Sequence, residues 1–379
     1  MKKLYLLLLV AVLALFTAAC GDKSSTSQKS DDKDTLSIYT TVYPLSYFAQ
    51  RIGGDFVEVS SIYPAGANEH TFEPTQKDMM KLADANIFFY IGLGLEGFVE
   101  NAKKTLANED VTMVATADTV SDEKLAISTG HVHAEDEHDE HNHAATEEEH
   151  DHEHDHAATE GEHDHEHDHA ATEGEHDHEH DHAATEGEHD HEADEHGHDE
   201  HEHGDIDPHV WLSPTISQDL ALAIKNTLVE KMPAQESTFN ENYEALVKEL
   251  QDLDNDFKAM ADKAPNKTFF VSHAAFGYIA GQYGFTQVPI AGLNSQNEPS
   301  QKELTKIVDK ANELHIHYIL FEQNVSSKLA EVIQKEVGAE SLVLHNLSVL
   351  TADDEKNKET YFTLMQKNIQ TLEKALNAH

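Results

Sequence analysis

Residues 234–263 read AQESTFNENYEALVKELQDLDNDFKAMADK, an uninterrupted stretch with no glycine and no proline. Leu246, Leu250, Leu253 and Phe257 fall at steps of four, three and four, the spacing of one face of a helix. With nothing to break it, the stretch reads as one long helix, and what lies on either side has the same character. Upstream, the pattern predicts strand Leu36–Thr41, helix Leu45–Ile52 stopped by Gly53-Gly54, and strand Val57–Ile62. Thr75 with Asp78 forms a capping-box pattern for a helix to Ala85; strand Ile87–Ile91, helix Leu95–Leu106 and strand Val111–Val114 follow. Ser213-Pro214 looks like an N-cap with a first-turn proline, opening a helix to Lys231. Downstream come strand Thr268–Val271, helix Ala274–Tyr283 and a strand near Val288. Helix Ser300–Leu314 with the capping box Ser300/Glu303, strand Tyr318–Phe321, helix Ser326–Val337, strand Leu342–His345 and helix Glu359–Ala375 complete the series. Alternation of this kind implies an α/β fold: two mainly parallel-sheet α/β domains joined by one long helix. The expected divisions are 1–19, 20–35, 36–233, 234–263 and 264–379.

One segment breaks the pattern. Gly130 to Asp205 holds 23 of the 30 histidines and 31 Asp/Glu residues, with no Lys or Arg. Its unit HDHEHDHAATEGE begins at His150, His163 and His176 and decays from His189. Alanine is the unit's only apolar residue, so it cannot bury enough surface to offset the entropy of ordering, and it reads as a disordered insertion when metal-free. Imidazole suits Zn, Cu and Ni, and the flanking carboxylates concentrate cations. A merely solvated acidic linker would not need histidine at alternate positions. The strings beginning at His152, His165 and His178 match HExxH literally, but that motif acts only on an ordered helix beside a cleft. The insertion contributes −31 of the formal −46 charge, so the remainder is only moderately acidic and no basic nucleic-acid surface is indicated.

Met1-Lys2-Lys3 and the apolar run Leu4–Phe16 have the form of a signal peptide, too short for a comfortable membrane span. Cys20, the only cysteine, follows in Thr17-Ala18-Ala19-Cys20-Gly21, which resembles a bacterial lipoprotein processing site with Thr17 in place of the usual leucine. It can form no internal disulfide; lipid attachment accounts for its position better than an incidental cysteine after an ordinary signal peptide does. Residues 20–35 then read as a flexible, lipidated tether.

Seven histidines lie outside the insertion: His70, His209, His273, His315, His317, His345 and His379. Three stand where a strand ends or a loop begins, the place where open α/β sheets bind ligands. They occur in Pro64-Ala-Gly-Ala-Asn-Glu-His70-Thr-Phe-Glu-Pro74, in Asp207-Pro-His209-Val-Trp-Leu-Ser-Pro214 and in Val271-Ser-His273-Ala-Ala-Phe-Gly-Tyr278. Taken singly, any of them could be a hydrogen-bonded core or loop residue. Together the segments resemble the solute-binding lipoproteins that deliver zinc or manganese to bacterial ABC importers, most closely the zinc-specific ZnuA type. The resemblance covers about Leu36 to Ala375 apart from the insertion, and an acidic His-rich insertion before the second segment is a habit of that branch.

The resemblance implies a Zn²⁺ site in the cleft between the domains, with His70 and His209 from the first and His273 from the second. The manganese branch carries a carboxylate at the position of His273, so this histidine argues for zinc. A fourth ligand is open among Glu69, Asp353 and water: relatives place an acid after the last strand, where this chain has Ser348. Glu322 is a candidate to orient a histidine, with helix capping or a surface role as the alternative. His315 and His317 are expected to be solvated. The implied function is an extracytoplasmic, lipid-anchored, monomeric carrier that hands Zn²⁺ to an ABC permease and its ATPase, the His-rich insertion collecting metal. Manganese, nickel or copper cargo and a surface metal store or adhesin are the alternatives. A zinc hydrolase has no support, since no Gly-x-Ser-x-Gly signature occurs.

Overall fold

The computed structural model describes residues 35–129, 206–295, 299–323 and 327–377. The expected signal peptide, Cys20, the tether up to residue 34, the His-rich run 130–205, the expected helix start at Ser326, and His379 lie outside the described residues.

Two four-stranded sheets, all parallel, carry the architecture. The first contains β1 (Leu36–Thr40), β2 (Val57–Ser61), β3 (Ile87–Tyr90) and β4 (Thr112–Ala115) in the order β2-β1-β3-β4. The second contains β5 (Thr268–His273), β6 (Thr286–Ala291), β7 (Tyr318–Phe321) and β8 (Glu340–Val343), ordered β6-β5-β7-β8. Each sheet therefore reverses its winding direction between its first and third strands. In open α/β sheets ligands bind at such a reversal, beyond the carboxyl ends of the strands.

In the first half the helices are α1 (Tyr43–Gly53), α2 (Gln76–Ala83), α3 (Val99–Thr105), the single turn α4 (Asp122–Leu125) and α5 (Pro214–Lys231). Helix α6 (Glu236–Lys263) follows a 3-10 turn at Pro233–Gln235, which is why it starts two residues later than its sequence suggests. Leu246, Leu250, Leu253 and Phe257 are all buried, and α6 packs against both α1 and α5. The second half adds α7 (Gly277–Tyr283), α8 (Gln301–Glu313), α9 (Lys328–Val337), α10 (Ala352–Asn357) and α11 (Tyr361–Asn377). Helix α6 also touches α7 and α11, so it borders elements of both halves. Burial of each such leucine or phenylalanine stabilises by about 1.5–3 kcal/mol.

Helix α3 is shorter than the pattern suggested. Gly92, Leu93 and Gly94 all have positive φ (90°, 54° and 77°), and the Glu96 carboxylate accepts hydrogen bonds from Ile91 N (2.8 Å), Gly92 N (3.0 Å) and Thr41 Oγ1 (2.8 Å). The residues up to Phe98 form turns around that buried acid. The capping boxes Thr75/Asp78 and Ser300/Glu303 and the Ser213 cap are formed as expected. Helix α10 was not expected; Thr351 and Asp354 form its capping box.

Candidate metal centre

Three histidines from distant parts of the chain converge. His70 comes from the loop between β2 and α2. His209 precedes a 3-10 turn (Val210–Leu212) that leads into α5, and His273 is the last residue of β5. Their ring centroids lie 5.2 Å (His70–His209), 5.2 Å (His70–His273) and 4.9 Å (His209–His273) apart, nearly an equilateral triangle. One nitrogen from each ring falls within 4.8 Å of the other two; among the described residues this is the one such cluster. His209 and His273 are buried and His70 is half-buried.

Two of the rings are held from behind by carboxylates. Asp207 Oδ1 accepts from the backbone N–H of His209 (2.9 Å) and lies 2.8 Å from its Nδ1. Placing the proton on Nδ1 leaves the Nε2 lone pair of His209 facing His70 Nε2 at 3.2 Å. Glu322 Oε1 lies 2.9 Å from His273 Nδ1, and Leu293 O lies 2.8 Å from His273 Nε2. His70 has no such carboxylate among the described residues; its backbone N–H donates to Asn68 Oδ1 (3.0 Å), and Asn68 Nδ2 reaches Ser295 Oγ in the second half (3.1 Å).

The electrostatics divide the three rings. Burial, reinforced by the neighbouring His209 and His273, pushes the His70 pKa down to about 2, so this ring stays neutral. Burial acts in the same direction on His273, but the Glu322 charge and hydrogen bond overcome it and raise its pKa to about 9. Glu322 is correspondingly held below the usual carboxylate range: burial would raise it, and the His273 charge and hydrogen bond outweigh burial. In the metal-free cluster His273 keeps its proton near neutral pH, and a cation that took its Nε2 as a ligand would have to displace that proton. Among the described residues the Ser272 hydroxyl is buried without a hydrogen-bond partner.

The candidates for a fourth ligand occupy different places. Glu69 is buried beside the cluster; its pKa is raised by burial and by the charge of Glu322, and its Oε1 accepts from Asn346 Nδ2 at 3.1 Å. Asp353 is exposed in the first turn of α10, outside the cluster. Ser348 is buried, and its hydroxyl (2.9 Å) and backbone N–H (3.0 Å) both donate to Asn346 Oδ1. Gln323 Nε2 donates to the same oxygen at 2.8 Å, which leaves the Asn346 amide nitrogen to face Glu69. Sequence reading misses Asp207 and Asn346, although Asp207 stands in the segment quoted for His209. The aspartate two residues before His209 was the available signal. His315 and His317 are exposed, and His345 Nε2 pairs with Asp354 Oδ2 at 3.1 Å.

Three imidazoles, all neutral once the His273 proton is displaced, suit a borderline-soft divalent ion such as Zn²⁺, whereas Mg²⁺ and Ca²⁺ take all-oxygen shells.

Comparison with known proteins finds zinc-binding relatives. Zinc-binding lipoprotein AdcA of Streptococcus pneumoniae (strain ATCC BAA-255 / R6) is 33% identical over 373 residues, 98% of this chain and 60% of that protein. Zinc-binding protein AdcA of Streptococcus pyogenes serotype M3 is 32% identical over 337 residues, 89% of this chain and 55% of the relative. The chain thus spans little more than half the length of these AdcA relatives. The high-affinity zinc uptake system protein ZnuA of Bacillus subtilis (strain 168) is 30% identical over 375 residues, covering 99% of this chain and 98% of that protein. Among solved structures, the Zn(II)-bound ZnuA-like domain of Streptococcus pneumoniae AdcA superposes with a TM-score of 0.61 at 27% identity, over 91% of this chain and all of that one. Residues 38–375 match the family model described as ZnuA, zinc-uptake complex component A periplasmic, and the chain belongs to that family.

Proposed function

We propose that this protein is an extracytoplasmic carrier that captures Zn²⁺ between His70, His209 and His273 and passes it to an ABC permease driven by its ATPase. The observation that carries the reading is the convergence of three imidazole nitrogens within 4.8 Å of one another, two of them backed by buried carboxylates. Zinc is cargo in this reading, and no reaction is catalysed. Water or Glu69 completes the coordination; Asp353 is set aside because of its exposed position on α10. Glu322 and Asp207 fix the orientation of His273 and His209 and raise their basicity as ligands. The carrier acts as a monomer, anchored through lipid on Cys20, with the His-rich run 130–205 gathering metal when supply is low. Manganese is disfavoured because a third imidazole replaces the harder carboxylate it would use.

Uptake of radioactive zinc in zinc-starved cells tests this. Cells lacking their own carrier should recover uptake with the full chain and fail to recover it when His70, His209 and His273 are all alanine. Equal uptake by the two strains would reject the carrier role, and recovery lost only on deletion of run 130–205 would point to storage.

A further inference from the structure

Asp207 uses both of its oxygens. Oδ1 holds His209 through the backbone N–H and Nδ1, as described, while Oδ2 accepts a hydrogen bond from Ser128 Oγ at 2.5 Å. Ser128 is 8% exposed, Asp207 1% and His209 not at all, so water does not substitute for any member of this chain. Ser128 and Asp207 are 79 positions apart and stand on either side of run 130–205.

We propose that Ser128 is a positioning residue for the His209 ring, acting through Asp207; the inference rests on the zinc-capture reading above. A carboxylate held through one oxygen can pivot about its terminal bond, and a ring hydrogen-bonded to it then pivots too. Held at both oxygens, it fixes the ring's tautomer and the direction of its Nε2 lone pair.

The wall behind Ser128 gives a second, independent observation. A Cβ at Gly277 on α7 would lie 2.1 Å from Ser128 Oγ and 2.7 Å from Asp207 Oδ2, and one at Gly281 would lie 1.8 Å from Ile127 O. Only glycine at these two positions, one helical turn apart, lets residues 127–129 lie against α7. Thr129 N donates to Gly277 O (3.2 Å), and Tyr278 OH donates to the backbone oxygen of Asp207 (2.7 Å). Both sides of the Ser128–Asp207 bond are therefore fastened to the helix that follows His273, so His209 is registered against the half of the molecule that carries its partner ligand.

Metal binding at the cluster can be followed in the full chain through Trp211, the only tryptophan, whose ring lies 5.4 Å from that of His209. Zinc titrations against a competing chelator, followed by Trp211 fluorescence, would compare the unaltered chain with Ser128→Ala and His70→Ala. Ser128→Thr and Ser128→Val form a further pair, equal in shape and differing in the hydroxyl. Loss of the hydroxyl in Ser128→Ala and Ser128→Val should weaken the tight transition by roughly 10–100-fold, with Ser128→Thr retaining most of the affinity. The visible absorption of the Co²⁺-loaded protein should shift in the same two variants. A purely structural role would lower the melting temperature of the metal-free protein and leave those bands in place. Unchanged affinity in Ser128→Ala, or equal losses in the Thr and Val variants, alongside a weakened His70→Ala overturns this inference alone. Absence of a tight transition in the unaltered chain overturns the function beneath it as well.

Discussion

His70→Ala is expected to weaken zinc binding by about a hundredfold while leaving the metal-free fold intact. Zinc held by a full set of protein ligands is bound with roughly 10–16 kcal/mol. Shared over four donors, that is about 3 kcal/mol per ligand, and each 1.4 kcal/mol is a factor of about ten. His70 is the cleanest of the three to remove. It is half-buried and no carboxylate faces it among the described residues, so its loss strands no charge. His273→Ala would instead leave Glu322 buried and unpaired, and orphaning a buried ion costs about 3–5 kcal/mol of stability. Chelator competition read through Trp211 gives the affinity, and thermal unfolding of the metal-free variant checks the fold. Undiminished affinity in His70→Ala would remove this histidine from the ligand set.

Trp211→Ala should produce the largest loss of stability. Trp211 is fully buried, its Nε1–H donates to Asn346 O at 2.7 Å, and its own carbonyl accepts from Tyr361 OH (2.9 Å) and Ser217 Oγ (3.0 Å). These bonds bring together the His209 segment, α5, the start of α11 and the loop after β8. Truncating a buried tryptophan costs about 3–5 kcal/mol, and here the Asn346 carbonyl would also lose its donor. For a protein of this size that lowers the melting temperature by on the order of 10 °C. Trp211→Phe should fall between, since it keeps much of the packing and loses the hydrogen bond. Circular-dichroism melting would decide, and a Trp211→Ala midpoint within a degree or two of the unaltered protein would show that the two halves do not depend on this contact.

Most of the fold was legible because its signals are local. The leucine spacing of α6, the capping residues Thr75, Ser213 and Ser300, and the apolar runs of β3 and β7 each depend on a few neighbouring residues. Helix α10 carries the same kind of signal in Thr351 and Asp354, whose capping box opens a helix of only six residues. The three histidines were legible through their surrounding segments, and the pairing of Glu322 with His273 follows from both standing at the ends of adjacent strands. Other parts of the site depend on approaches that no local pattern records. Asn346 meets Glu69 across 277 positions, and Ser128 meets Asp207 across 79. Gly277 and Gly281 matter only because residues 127–129 press against them.

In the proposed carrier one zinc ion binds where the three rings meet. Diffraction recorded at the zinc absorption edge, from crystals of the full chain loaded with a single equivalent of Zn²⁺, tests it most directly. The expected result is one dominant anomalous peak about 2.0–2.1 Å from a ring nitrogen of each of His70, His209 and His273. A dominant peak elsewhere, with these three nitrogens empty of metal, would contradict it.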